Sequence, residues 1–300
     1  MAKNLVLSLA TNARFEDFSR FVRSARRHLP RETTDIVLFI NPLGPEFANL
    51  AAELDVELLP VWSLWKEVTQ SLPLKVAFRA FLKLLELGAK LNLRNFHELN
   101  RAVVSSWVHV QAGRFIVYHE FLKVRPDYQC VLLSDSRDVV FQADPFREVD
   151  PNVLNIFEQD PSILFGDANV DSEWFAKVFG ADVLEKLRGK QTICSGTTIA
   201  SPKILFPYLE LMEREIIQHR ATPLDQAIHN KLVYLDVDQS VVKRHSNLAG
   251  CVLTLAQVGG TEYEIVGDEV RVKGRLVPIL HQYDRVPPVN ELLTHVYDGT

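Results

Sequence analysis

The chain has 300 residues, of which 47% are hydrophobic and 24% are charged, and its formal net charge is −5. This is the balance of a folded globular protein, and the slightly acidic charge argues against nucleic acid as a partner. The sequence contains no run of about 20 apolar residues, so no membrane span is predicted. The apolar run near the N-terminus breaks at Thr11-Asn12, too soon for a signal peptide, so we expect a cytoplasmic location.

The cysteines are an odd set of three, widely spaced and each in an apolar context. This pattern argues against a disulfide framework or a zinc site and predicts buried thiols. They are Cys130, Cys194 and Cys251.

The first 60 residues alternate between strand and helix patterns. Strands are predicted at 4–10, 35–41 and 56–61, with helices at 14–29 and 45–53 between them. A β-α-β-α-β order implies a parallel sheet with right-handed crossovers. The first strand is followed by neither GxGxxG nor GxxxxGK[ST], which argues against a dinucleotide site or a P-loop.

The helix predicted at 14–29 has a basic face. A solvated polar face is the simpler interpretation, and the alternative is a peripheral contact with an anionic membrane surface. The residues of this face are Arg20, Arg23, Arg26 and Arg27.

The patterns along the rest of the chain complete one predicted α/β domain over 1–300, with a helical insertion at about 62–124. Alternating residues around Gly267-Asp268 predict a C-terminal β-hairpin at 262–273. Further helices are predicted at 153–159, 172–188, 203–219 and 223–232, and further strands at 130–133, 191–200, 233–243, 250–256 and 276–280. The fold class is therefore α/β, with a mostly parallel sheet flanked by helices.

The most informative segment is 130–146, CVLLSDSRDVVFQADPF. A short apolar strand leads directly to Asp135 and Asp138. Ligands of open α/β sheets bind at the carboxyl ends of strands, and a pair of carboxylates there suits Mg²⁺ or Mn²⁺. The alternative is a surface turn capped by aspartates.

Three later motifs are candidates for the same site. Ser195-Gly196 reads as a small-residue turn that lets a ligand approach closely, or as an ordinary β-turn. Asp225-Gln226 opens a helix after Pro223, where the helix dipole alone explains an acid. His281 follows a predicted strand, so it is either a structural histidine or a third ligand of the same metal.

In this order the motifs resemble the GT-A glycosyltransferases, of the glycogenin and lipopolysaccharide-galactosyltransferase type, over about residues 1–285. The resemblance implies a Rossmann-related GT-A domain that transfers a sugar from a nucleotide-diphospho-sugar to a hydroxyl acceptor, such as a glycan in polysaccharide biosynthesis. It also implies Mn²⁺ or Mg²⁺ as cofactor. The family type retains anomeric configuration, whereas Asp225 acting as a base would give inversion, so the stereochemistry stays open.

The resemblance also implies roles for individual residues. Asp135, Asp138 and His281 would hold the metal, and Asp225 and Gln226 would face the transferred sugar and the reacting carbon. The residues implied to lie near the donor are Thr11, Asn12, Arg114, Asp135, Ser136, Arg137, Ser195 and Gly196.

The motif here is DSRD, one residue longer than the family's DxD. Two questions therefore stay open: which of Asp135 and Asp138 binds metal, and whether Arg137 replaces part of the metal's charge. Two other functions also stay open, namely a catalytically silent nucleotide- or sugar-binding protein of the same fold and an Asp-based phosphatase. The sequence does not predict the sugar, the base, the acceptor or the oligomeric state.

Overall fold

The computed structural model describes residues 2–61, 110–220, 222–256 and 262–298, with scattered positions between 73 and 103. The first elements match the predicted β-α-β-α-β order closely. They are β1 (Asn4–Leu9), α1 (Phe15–His28), β2 (Thr34–Ile40), α2 (Pro45–Glu53) and β3 (Val56–Pro60).

The middle of the chain supplies most of the remaining large elements. They are α3 (Val110–Val124), β4 (Cys130–Asp135), β5 (Val139–Phe141), β6 (Leu154–Glu158), α4 (Val170–Phe179), α5 (Ala181–Glu185), β7 (Ile193–Ala200), α6 (Pro202–Gln218) and α7 (Asp225–Lys231).

Short strands and one helix complete the described chain. They are β8 (Val242–His245), β9 (Val252–Thr254), β10 (Glu264–Val266), β11 (Glu269–Val272), β12 (Arg275–Leu276), β13 (Ile279–His281) and α8 (Pro287–Asp298). Strands β10 and β11 form the predicted hairpin around Gly267-Asp268, and β12 adds a third strand.

The central sheet has seven strands in the order β3-β2-β1-β4-β7-β6-β8. All neighbours are parallel except β7, which runs antiparallel to both β4 and β6. The prediction of a mostly parallel sheet flanked by helices is therefore confirmed.

Both faces of this sheet are covered, as the alternation along β1 illustrates. Leu5 and Leu7 pack into a core with α3 and α6, whereas Val6 on the opposite face packs with α1 and α2. All three side chains are fully buried. Burial on both faces is why the parallel strands read as continuous apolar runs.

A second, three-stranded sheet has the order β5-β13-β9 and brings the late part of the chain to the aspartate motif. Strand β5 starts directly after Asp138, and Val139 pairs with His281 at the end of β13. This pairing, rather than proximity in sequence, places His281 beside the two aspartates.

Several predicted elements were wrong. Residues 153–159 form strand β6 rather than a helix, because Leu154, Ile156 and Phe157 are all buried and leave no clear period. Most of 233–243 is a π-helical turn followed by a 3-10 turn, and only its end belongs to a strand. Ser195-Gly196 lies inside β7 rather than in a turn, near a register shift in the pairing with β6.

The basic face of α1 is not uniformly solvated. Arg20 is buried and donates hydrogen bonds to Asn290 and Thr294 of α8. Arg26 donates to the main-chain carbonyls of Leu29, Thr34, Leu54 and Asp55. Two of the four arginines thus hold elements of the fold together.

The predicted insertion at 62–124 falls mostly outside the described residues. Its last part is helix α3. The single domain over 1–300 stays a prediction. In the described ranges, no helix combines the length and apolarity needed to cross a bilayer. Cys130, Cys194 and Cys251 are free and buried, as predicted.

Candidate active site

A cleft of about 440 Å³ opens at the carboxyl ends of β1 and β4. It is lined by every residue for which the sequence implied a role in binding or catalysis. These are Thr11, Asn12, Arg114, Asp135, Ser136, Arg137, Asp138, Ser195, Gly196, Asp225, Gln226 and His281.

Asp135, Asp138 and His281 form a compact cluster in this cleft. Nε2 of His281 lies 3.4 Å from Oδ2 of Asp135 and 3.6 Å from Oδ1 of Asp138. One ligand atom from each residue lies within 4.8 Å of the others. Nε2 is buried and makes no hydrogen bond to any described residue, and a buried nitrogen of this kind needs a partner.

Gly196 forms one wall of the cluster. A Cβ atom built on this residue would lie 2.4 Å from Cε1 of His281 and 2.6 Å from Oδ2 of Asp135. No larger residue fits without moving these two side chains. The backbone of β7 therefore approaches the cluster as closely as a main chain can.

The electrostatics of the cluster differ from residue to residue. Burial raises the pKa of Asp135, but Arg114 and His281 outweigh it and leave that pKa below its usual range. Burial, with the charge of Asp135, raises the pKa of Asp138 against the opposing effect of His281. Burial would lower the pKa of His281, but Cys194, Asp138 and Asp135 raise it well above its usual value. The cluster therefore favours positive charge at its centre.

Arg114, on α3, connects this cluster to the start of α7. Its buried guanidinium donates to Oδ1 of Asp135, to Oδ2 of Asp225 at 3.0 Å and to the carbonyl of Ser195 at 3.3 Å. Burial would lower the pKa of Arg114, but the two carboxylates raise it above its usual value. Arg114 stays charged and holds three elements around the cleft.

The two residues between the aspartates point in different directions. The hydroxyl of Ser136 donates to the carbonyl of Leu9 at 2.8 Å and anchors the loop on β1. The side chain of Arg137 is 72% exposed and pairs with Asp284 at 3.3 Å. The longer loop thus still directs both Asp135 and Asp138 toward His281.

Hydrogen bonds fix both the oxygen and the nitrogen of the side-chain amide of Gln226. Its Oε1 accepts the main-chain N–H of Ser195 at 2.8 Å, and its Nε2 donates to Oδ1 of Asp171 at 3.2 Å. Asp171 in turn accepts from Gln159 at 3.2 Å. The position of the amide is therefore set by β7 and α4 together.

Sequence reasoning missed several residues of the cleft. Asp171 lies in the first turn of α4, where an acid is common at a helix start, so nothing in the sequence distinguished it. Gln159 directly follows a strand that was predicted as a helix. The cleft residues without a predicted role are Leu9, Gln111, Gln159, Val170, Asp171, Trp174, Cys194 and Gln282, whereas Arg285, a predicted partner for phosphate, also lines the cleft.

Thr11 and Asn12 form the β1 end of the cleft. Asn12 has a left-handed backbone (φ 52°), and its N–H donates to Oδ1 of Asn41 at 2.8 Å. A neighbouring cavity of about 680 Å³ shares Thr11 and Asn12 and extends toward Arg14, directly before α1. The cleft thus continues past the end of β1.

No protein-family model matches this chain, and no curated protein matches it. Solved structures of the galactosyltransferase LgtC, in complex with donor and acceptor sugar analogs, are similar to it at 14% identity and a TM-score of 0.48, covering 97% of this chain and 95% of that chain.

Two further solved structures are also similar. The glycosyltransferase GlyE of Streptococcus pneumoniae TIGR4 matches at 14% identity and a TM-score of 0.44, covering 83% of this chain and 46% of that chain. Core-mannan synthase A of Aspergillus fumigatus, in its Mn/GDP form, matches at 14% identity and a TM-score of 0.43, covering 81% of this chain and 73% of that chain. All three of these solved structures are of glycosyltransferases.

Proposed function

We propose that this protein is a GT-A glycosyltransferase that moves a sugar from a nucleotide-diphosphate donor to a hydroxyl group of a glycan acceptor. The observation that carries the proposal is the cluster of Asp135, Asp138 and His281, which shares one cleft with Asp225 and Gln226. A cation site next to an acid and an amide is the arrangement needed to release a diphosphate while the sugar is transferred.

The donor set of the cluster fits a divalent cation. Two carboxylates suit Mg²⁺ and Mn²⁺, and an imidazole nitrogen favours Mn²⁺ of the two. The buried Nε2 of His281 makes no hydrogen bond to a described residue, and it can bind a metal once the ion displaces its proton. When bound, the cation would neutralise the charge that develops on the leaving diphosphate.

The dimensions of the cleft support an extended donor. Its residues come from four adjacent strands, β1, β4, β7 and β6, and neighbouring strands lie about 4.8 Å apart. Three such spacings give roughly 14 Å between the end of β1 and the end of β6. That is room for a nucleoside beside Thr11 and Asn12, a diphosphate beside Asp135 and Asp138, and a sugar beside Ser195 and Gly196.

Asp225 and Gln226 are proposed to face the reacting carbon. Arg114 holds the carboxylate of Asp225, and Asp171 with Ser195 holds the amide of Gln226, so neither side chain has to be ordered during the reaction. Asp225 would act as the base in an inverting reaction. The anomeric configuration of the product, read by proton NMR, distinguishes inversion from retention.

The first experiment is a thermal-shift panel of nucleoside diphosphates with and without Mn²⁺. A ligand at about 100 times its Kd stabilises the native state by about 2.7 kcal/mol, which raises the Tm by roughly 4 °C. We expect such a shift for at least one nucleotide, and a larger one with Mn²⁺. No shift with any nucleotide contradicts the proposal.

The second experiment measures turnover, as nucleoside diphosphate released from nucleotide sugars. Asp138→Asn should remove Mn²⁺-dependent binding and turnover, whereas Asp127→Asn, at an exposed position before β4, should change neither. Binding without turnover would identify a silent nucleotide- or sugar-binding protein. Release of inorganic phosphate from phosphomonoesters would identify a phosphatase, although β1 ends at Leu9 with no acid in the residues that follow directly.

The cytoplasmic location and the polysaccharide acceptor stay predictions.

A further inference from the structure

The two ring nitrogens of His281 face different surroundings. Nε2 faces Asp135 and Asp138, and Nδ1 lies 3.4 Å from Sγ of Cys194. The ring is 1% exposed, so both nitrogens depend on groups inside the protein fold for their surroundings. If Nε2 binds a metal, the ring proton must reside on Nδ1, where Cys194 is the neighbouring acceptor.

Cys194 is itself held in place. It is 3% exposed, and its sulfur also accepts the main-chain N–H of Gly196 at 3.4 Å. Residues 194 and 196 both lie against the imidazole: Sγ of Cys194 is 3.4 Å from Nδ1, and a Cβ atom on Gly196 would be 2.4 Å from Cε1. Strand β7 therefore supplies both the space for His281, at Gly196, and a polar contact for its far side, at Cys194.

We propose that Cys194 is a positioning residue that holds His281 as the Nδ1-protonated tautomer with Nε2 directed at the carboxylates. The inference rests on the metal site of the proposed function. The partner of a metal-binding histidine is commonly a carboxylate, a carbonyl or water, and removing such a partner costs about 10- to 100-fold in metal affinity. Here a buried thiol occupies that place.

The test measures Mn²⁺ binding to the full chain by electron paramagnetic resonance of free Mn²⁺, with Mn²⁺ alone and with a nucleoside diphosphate. Cys194→Ala should weaken binding by about 10-fold or more. Cys194→Ser, which keeps an acceptor on the same carbon, should recover most of the affinity. Cys130→Ala and Cys251→Ala are matched controls, because both thiols are buried outside the cleft, and they should leave the affinity unchanged.

A second readout, which needs no substitution at Cys194, tests whether the ring is oriented with Nε2 toward the metal. In protein labelled with ¹⁵N-histidine and saturated with Mg²⁺, the His281 resonance, assigned by its loss in His281→Asn, should show the Nδ1-protonated tautomer. An Nε2-protonated ring would overturn the inference. The inference would also be overturned if the Cys194→Ala variant lost thermal stability but bound Mn²⁺ as tightly as the wild type. That outcome would leave the proposed function intact. A wild-type chain that binds neither Mn²⁺ nor any nucleoside diphosphate would overturn both.

Discussion

Gly196 lies directly against His281: an added Cβ would be 2.4 Å from Cε1 and 2.7 Å from Nε2 of the imidazole. Gly196 has no left-handed backbone conformation, so the constraint is one of space. The identity of this residue and the position of the histidine are therefore coupled.

Gly196→Ala should displace His281 and Asp135 and lower the affinity for Mn²⁺ by at least about 10-fold. Overpacking of this kind costs about 1 to 3 kcal/mol in the free energy of unfolding. Mn²⁺ titration and urea unfolding measure the two effects. Ser195→Ala is the control, because Ser195 contacts Gln226 and Arg114 through its main chain. Unchanged Mn²⁺ affinity in Gly196→Ala would contradict the prediction.

Arg114→Met should strongly destabilise the protein, because Asp135 and Asp225 would lose the cation that they share. Breaking a buried ion pair by removing one partner costs about 3 to 5 kcal/mol. Adding Asp225→Asn should recover part of that loss, since one uncompensated charge is removed. Urea unfolding measures both.

The comparison for Arg114 is an exposed ion pair. Arg125 pairs with Glu57, and their side chains are 44% and 41% exposed. Arg125→Met should cost less than about 1 kcal/mol. If Arg114→Met and Arg125→Met lowered the free energy of unfolding equally, the buried contacts of Arg114 would not stabilise the fold more than an exposed ion pair does.

Asp171→Asn should slow turnover while leaving donor binding intact. The substitution removes one of the two acceptor oxygens and frees the amide of Gln226 to rotate. A misplacement of about 1 Å near the reacting atoms costs up to roughly 100-fold in rate. We therefore expect kcat to fall by about 10- to 100-fold and the affinity for the nucleoside diphosphate to change by less than about threefold.

Steady-state kinetics with isothermal titration calorimetry separate these two effects. Asp167→Asn, an exposed acid just before α4, should change neither quantity. A loss of nucleotide affinity with unchanged kcat in Asp171→Asn would place Asp171 in the binding of the nucleotide instead.

The protein should lose stability in mild acid because of His229. Burial, with the charge of Arg114, lowers the pKa of this residue to about 3, against about 6.5 in an unfolded chain. As the pH falls below about 6.5, the unfolded state takes up the proton first, so the free energy of unfolding decreases until about pH 3. At pH 4.5 the loss from His229 is about 3 kcal/mol.

Urea unfolding at neutral pH and at about pH 4.5 measures this dependence. His229→Gln should make it shallower, whereas His295→Gln, at an exposed position of α8, should leave it unchanged. The same pH dependence in all three proteins would exclude His229 as its source.

Local patterns predicted the elements at the start of the chain. Helix α1 has a clear helical period, and strands β1 and β2 are short apolar runs because the sheet is buried on both faces. The acids after β4 likewise follow a short apolar strand that is buried on both sides. The prediction of β6 as a helix was wrong because Leu154, Ile156 and Phe157 are buried without alternation. Pairing with distant strands decides whether a short apolar run folds as a strand or as a helix. The run itself contains no local signal of that pairing.

The residues of the cleft were also only partly predictable from the sequence. Asp135, Asp138 and His281 stood out because each follows a predicted strand, and strand ends converge in an open sheet. Asp171 did not, since its role depends on a hydrogen bond to Gln226 across two elements. Roles that rest on tertiary contacts of ordinary residue types are not visible in sequence.

The pairing of Val139 with His281 has a consequence for how the proposed cation site forms. Nearly half of the chain separates its carboxylates from its histidine, and that loop closes only when β13 docks between β5 and β9. Long-range pairings of this kind form slowly. A chain still emerging from the ribosome would present Asp135 and Asp138 without their third partner. Tight binding of an ion at the proposed site would therefore report that synthesis and folding have both reached the C-terminal strands.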